Sequence, residues 1–168
     1  MDLRPLSTAD FGAFTSGLDY PMFVVTTTDG TERSGCLVGF TTQTSIDPPR
    51  FLVCLSDKNH TYRVARDAPL LAVHQLAEDQ HDLAALFGGE TGDQIDKFAR
   101  CAWRPGPGGV PLLDECPAHV VGRVLEQRPW GDHVGFHLEP VEAAAEADRE
   151  DETLTLGDVS DVEPGHEA

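Results

Sequence analysis

The chain has 168 residues, with 29 acidic against 12 basic side chains and a formal net charge of −17. Apolar residues make up 40% and aromatics 7%, enough for one core in a single domain. A surface of that sign repels a phosphate backbone, so no nucleic-acid partner is expected, and no apolar run approaches the roughly 20 residues of a membrane span.

Met22 to Thr28 is rich in β-branched residues and closed by Asp29-Gly30, a tight-turn pair, which predicts a first strand. A second run, Gly35 to Ser45, ends at Asp47-Pro48-Pro49, where proline removes the N–H that a central strand needs. Phe51 to Leu55 follows at once as a third. Asn59 can cap a helix running through Asp67 and stopping before Pro69. Leu70 to Leu76 predicts a fourth strand. Asp79 can cap a second helix with Leu83, Leu86 and Phe87 on one stripe, ended by Gly88-Gly89. Asp93 to Arg100 suits a short helical turn, and residues 104–111, dense in Pro and Gly, a loop. Ala118 to Gln127 and His133 to Val141 predict the last two strands, joined by a Pro129-Trp130-Gly131-Asp132 turn. Short strands with turn signals predict a mainly β fold, an antiparallel barrel or sandwich with flanking helices. Residues 142–168 carry ten acids and one arginine. The expected organisation is therefore a domain over 1–141 and an acidic tail over 142–168, partly helical or disordered.

The N-terminal MDLRPLSTADFGAF has neither the basic start nor the apolar stretch of a secretory signal. Cys36, Cys54, Cys101 and Cys116 include no closely spaced pair, against both a disulfide framework and a zinc site. His133 and His137, four apart on a strand, would lie about 13 Å apart along one face. A cytoplasmic protein without a metal site is the expectation.

The most informative stretch is Thr41-Thr42-Gln43-Thr44-Ser45, five hydroxyl or amide side chains before the proline turn. If the chain reverses at that turn, residues 51–55 pair with 41–45 and place Leu55 near Thr41. The helix capped by Asn59 would then open beside Thr41 to Gln43. Free amides of its first turn, the strand hydroxyls and Lys58 could together surround a phosphate. The same residues also suit an exposed sheet face, because Thr is a good strand former. Spacing does not decide between the two.

The order VVTTTDG, GFTTQTSIDPPRFLVCLS, KNHTYRVARDAPLLAVHQLAEDQHDLAALFGG, DKF and WGDHVGFHLEPV resembles the flavin reductase-like family, the FMN-binding split barrel. The resemblance runs from about Phe11 to Val141. It implies a Greek-key antiparallel β-barrel, a homodimer with flavin near the subunit interface, and NAD(P)H-dependent reduction of FMN. Hydride would pass from nicotinamide to flavin N5, in some relatives on behalf of a monooxygenase partner. Residue by residue, it implies that Thr42, Gln43, Thr44 and Ser45 line the flavin and that Asn59, His60 and Thr61 hold its phosphate. His133 matches a histidine near the flavin and the nicotinamide; its other reading is a sheet histidine bonding a neighbouring backbone group. The chain departs from the family pattern at Phe40, Gln43, Ser56 and Asn59-His60. FAD and the deazaflavin F420 therefore stay open as cofactors. A flavin-binding module for electron transfer or redox sensing stays open as a function.

Overall fold

The computed structural model describes residues 3–147 and 152–166. Its first β-branched run becomes strand β1 (Phe23–Thr28), paired antiparallel with β2 (Arg33–Val38). Asp29 makes the reversal: its carboxylate accepts the main-chain N–H groups of Thr31 and Glu32, each at 2.8 Å. The single strand expected over 35–45 is two. Gly39 and Phe40 break it, and β3 (Thr41–Ser45) begins beyond them. The break is packed in place by Tyr20, whose ring lies so close that a Cβ on Gly39 would stand 2.5 Å from it.

β4 (Arg50–Ser56) returns antiparallel to β3 after a turn through cis Pro48. The register differs from expectation. Thr41 stands opposite Val53 rather than Leu55, and the pairing slips between Gln43 and Ser45. The chain continues through β5 (Leu70–Gln75), then a small hairpin of β6 (Trp103–Pro105) and β7 (Pro111–Leu113). That hairpin falls where an unstructured loop was expected; it turns on glycine, with Gly108 and Gly109 both at positive φ. A long ribbon of β8 (Ala118–Trp130) and β9 (His133–Ala145) completes the set, its turn made by Gly131 at φ 74°.

Seven strands form one sheet in the order β2-β1-β5-β8-β9-β4-β3, antiparallel throughout. β2 and β3 are its outermost strands, yet only Gly39 and Phe40 separate them in the chain. Such a link reaches about 11 Å at most, so the two edges must meet and the sheet must curl. The core agrees. Val25, Cys36, Val53, Leu71, Phe136 and Leu138, from strands all round the sheet, pack into one buried cluster. The result is a barrel with a seam at Gly39–Phe40, the mainly β architecture that the sequence predicted.

Among the described residues three α-helices flank it. α1 (Thr8–Thr15), capped by the Ser7 hydroxyl on the Asp10 N–H, buries none of its residues. α2 (His60–Ala65) is capped by Asn59 and sets Ala65 and Tyr62 against the barrel core. α3 (His81–Gly89) packs Leu83, Ala84 and Phe87 with Met22, Val24 and Leu76 in a second core outside the barrel.

The acidic tail is a correction. The boundary expected at 141 falls inside β9, and Leu154 and Val159 are buried in the second core. Leu154 exchanges main-chain hydrogen bonds with Met22 and Leu76, each within 3.0 Å. Leu154 and Val159, with Leu156 and Val162 packed beside them, thus fold back a segment whose charge alone predicts solvation. The part of the tail at 148–151 and 167–168 lies outside the described residues.

Candidate functional site

At the seam the structure opens a cleft of about 160 Å³. One side is Cys36 to Phe40, the end of β2 and the break; the other is Cys54 to Ser56, the end of β4. Tyr20, Met22, Asn59, His133 and His166 complete the lining. Rings crowd the opening: Phe40 lies 6.3 Å from Tyr20 and 5.0 Å from His133, centroid to centroid.

Each polar wall is built locally. The Ser56 carbonyl accepts the Asn59 N–H at 3.0 Å, and its hydroxyl accepts the Lys58 N–H at 3.4 Å. This tight turn presents Asn59, whose Oδ1 accepts the Thr61 N–H at 2.9 Å as a helix cap. His133 stands opposite Ser56 in the β4–β9 register. Asp132 Oδ1 lies 2.7 Å from its Nδ1. A carboxylate can only accept, so Nδ1 carries the proton and Nε2 of the neutral ring is left as an acceptor.

The lining is electrically quiet. Burial pushes the Cys36 and Cys54 thiols up, so both are protonated at neutral pH. Burial, with the nearby Asp19 charge, also raises the Tyr20 phenol. His166 is held below the ordinary imidazole range by burial first, then by Lys97 and His133. Beside Cys36 lies Lys97, whose buried ammonium donates to Phe87 O at 2.9 Å and Gly35 O at 3.1 Å. Among the described residues it makes no salt bridge. A chain of net charge −17 thus keeps one buried cation beside this cleft.

The residues expected at the site divide. Asn59 and His133 meet in the cleft, whereas Thr41 to Ser45 lie on the edge strand outside its lining. Thr42, Gln43 and Thr44 are exposed; Gln43 Nε2 donates to Ser45 O, and Thr44 Oγ1 lies 2.8 Å from His137 Nε2. The helix start therefore does not open beside Thr41 to Gln43 as expected; α2 packs chiefly on β1 and β2. Lys58 is exposed at the turn. His60 points elsewhere, with Glu32 Oε1 at 2.6 Å from Nε2 and Asp93 Oδ1 at 2.8 Å from Nδ1. The Thr61 hydroxyl is buried against Ser34 Oγ at 2.9 Å. The polar atoms of both side chains are thus engaged within the protein. Tyr20, Cys36, Cys54 and His166 were not foreseen: each reads as an ordinary core or tail residue until the seam brings it to the cleft.

Comparison with known proteins fits this architecture. The flavin reductase like domain model matches residues 15–161. The reductase component of a 4-nitrophenol 4-monooxygenase/4-nitrocatechol 2-monooxygenase from Rhodococcus opacus is 34% identical over 147 residues, 85% of this chain and 75% of that protein. The NADH-dependent FMN reductase RutF of Methylorubrum extorquens is 28% identical over 146 residues, 86% of this chain and 71% of that one. A flavin reductase of Rhizobium meliloti is 33% identical over 137 residues, 79% of this chain, and the match spans only 40% of that longer protein. Among solved structures, an FMN-binding protein from Thermus thermophilus superposes with a TM-score of 0.76 at 26% identity, covering 88% of this chain and 80% of that one. The NADH:FAD oxidoreductase of Streptomyces globisporus shares the fold, with a TM-score of 0.80 at 23% identity and 92% of each chain covered. The chain belongs to the flavin reductase-like family.

Proposed function

We propose that the chain is an NADH- or NADPH-dependent flavin reductase that binds FMN at the seam. The observation that carries this reading is the lining of the cleft. Aromatic faces stand beside a hydroxyl, an amide and an imidazole, with no carboxylate among the described residues of the walls. That donor set fits a flat, neutral heteroaromatic ring with a polar edge. At about 160 Å³ the cleft is smaller than the roughly 300–1,000 Å³ of pockets that enclose a whole ligand. It therefore takes part of a flavin, and the remainder lies beyond Phe40 and the α2 turn. There Thr41, Thr42, Gln43, Thr44 and Ser45 form the rim, and Lys58, at the turn of Asn59, His60 and Thr61, attracts the phosphate by its charge.

Bound flavin supplies the two-electron chemistry, accepting hydride from a nicotinamide. The chain supplies placement and field. Tyr20 and Phe40 would hold the ring, and His133, oriented by Asp132, would offer Nε2 to it or to the nicotinamide. The Lys97 ammonium, buried beside Cys36, would favour negative charge in the cleft. The protein need not donate a proton.

Two partners accompany this reading. Phe40, Ile46 and Trp130 each leave more than half of their surface exposed on the β3 and β9 side, which suits a second copy covering the flavin. The Rhodococcus opacus relative, a reductase component of a monooxygenase, supports a monooxygenase as consumer of the reduced flavin.

The visible spectrum of the purified protein mixed with FMN tests the binding, and anaerobic addition of NADH or NADPH tests turnover. A perturbed flavin spectrum that bleaches within seconds is expected. Binding without bleaching leaves an electron-transfer or sensing module; no binding of FMN, FAD or F420 refutes the site.

A further inference from the structure

One wall of the cleft comes from the far end of the chain. Beyond Glu152 the C-terminal segment forms a strap, extended where Thr153 is bridged to Ala77 and Thr155 to Pro21, then turned by a short 3-10 helix at Gly157–Val159. Leu154 and Val159 anchor it in the second core. It then crosses the end of α3, where Val162 lies beside Gly89 and the Gly165 N–H donates to Gly88 O at 3.0 Å. Gly165 lies flat against Glu90: a Cβ there would stand 2.6 Å from the Glu90 carbonyl carbon. Glycine thus lets the chain pass at this point and delivers His166 to the cleft, among the same walls as Tyr20, Phe40 and His133. The family model matches only as far as residue 161, so this contact lies outside the shared domain.

We propose that His166 is a flavin-contact residue supplied by the strap, which closes the cleft over the bound ring and slows its release. The proposal rests on the cleft being the flavin site. Its first support is the asymmetry of the tether. The strap is held deep at Leu154 and Val159 and its tip is joined to the end of α3 through the Gly165 N–H on Gly88 O, whereas Cys36 to Val38, Cys54 to Ser56 and His133 belong to sheet ladders. The tip can move aside without breaking a ladder, which lets the part of a flavin that the cleft of about 160 Å³ takes enter and leave past His166. Chemistry is the second support. Burial and the neighbouring Lys97 keep the His166 ring neutral, so it brings one N–H and one lone pair to a flavin edge without adding charge.

Release of FMN, followed by recovery of its fluorescence after stopped-flow dilution, tests this in the wild-type chain, His166→Ala and Gly165→Val. His166→Ala should release FMN about tenfold faster, the scale of one lost hydrogen bond and ring contact, while the melting temperature of the flavin-free protein stays put. Gly165→Val should reproduce the effect by pushing the tip off Glu90. Wild-type release rates in both variants, or slower release in either, overturn the proposal. A wild-type chain that binds no flavin at all would instead condemn the site reading on which it stands.

Discussion

Phe40 and His133 are 93 positions apart in sequence, yet their rings meet at 5.0 Å between centroids, inclined at 49°. The contact spans the seam: Phe40 sits at the break between β2 and β3, and His133 opens β9. With Phe40 about half exposed, the pair acts more as a platform for something else than as core.

Phe40→Ala should therefore weaken FMN binding about five- to tenfold, the scale of an aromatic pair worth about 1 kcal/mol. The unfolding midpoint in guanidinium should barely move. A large loss of stability with unchanged FMN affinity would make the ring structural.

The rim is tested by Thr42→Val combined with Thr44→Val. Both side chains are exposed, so stability should change by less than about 0.5 kcal/mol. Fluorescence titration should show weaker FMN binding if the hydroxyls face the ring edge. Equal changes in binding and stability would reduce them to sheet surface, with Thr44 tied to His137.

Asn59→Ala removes a helix cap and one wall of the cleft together. The melting temperature should fall by an amount equivalent to about 1 kcal/mol. FMN affinity should fall beyond that, and a normal affinity in the folded variant would exclude the α2 turn from the site.

His74 gives a pH prediction. It is fully buried, within 3.0 Å of Val24 O through Nδ1, and its Nε2 accepts the Leu113 N–H at 3.1 Å. Both nitrogens are satisfied only in the neutral ring. Burial above all lowers its pKa to about 4, with the adjacent His119 adding to the effect. An unfolded histidine titrates near 6.5, so the unfolded chain takes up the proton first as pH falls. The stability tied to this group is complete above about pH 6.5 and is lost as pH drops towards 4, a change on the order of 3 kcal/mol. His74→Leu should lower stability at pH 7.5, through two orphaned backbone groups, yet flatten the decline between pH 7.5 and 4.5. Parallel declines in urea unfolding would show that the ring is not titrating this way.

Much of this was legible from residues. The Asp29-Gly30 reversal, the Asn59 cap and the β8–β9 ribbon follow from turn and cap chemistry that acts within a few positions. The break at Gly39–Phe40 was not legible, because what enforces it is the ring of Tyr20, nineteen residues upstream, lying against Gly39. Losing that break shifted the expected site towards the hydroxyl row and away from Cys36, Cys54 and Tyr20. Leu154 and Val159 were hidden for another reason: single apolar residues in an acidic stretch carry no period, and only the second core reveals that they are needed. Ser7 and Asp10, a cap pair at the start of α1, were a local signal that could have been read.

The seam has one more consequence. β2 and β4 flank the cleft, yet no ladder joins them. A flavin lodged there would bridge them, so filling the cleft would hold the two lips of the barrel together. Saturation with ligand should then slow amide exchange at Cys36 to Val38 and Cys54 to Ser56 while leaving the distal strands untouched. Occupancy would then fasten the fold itself.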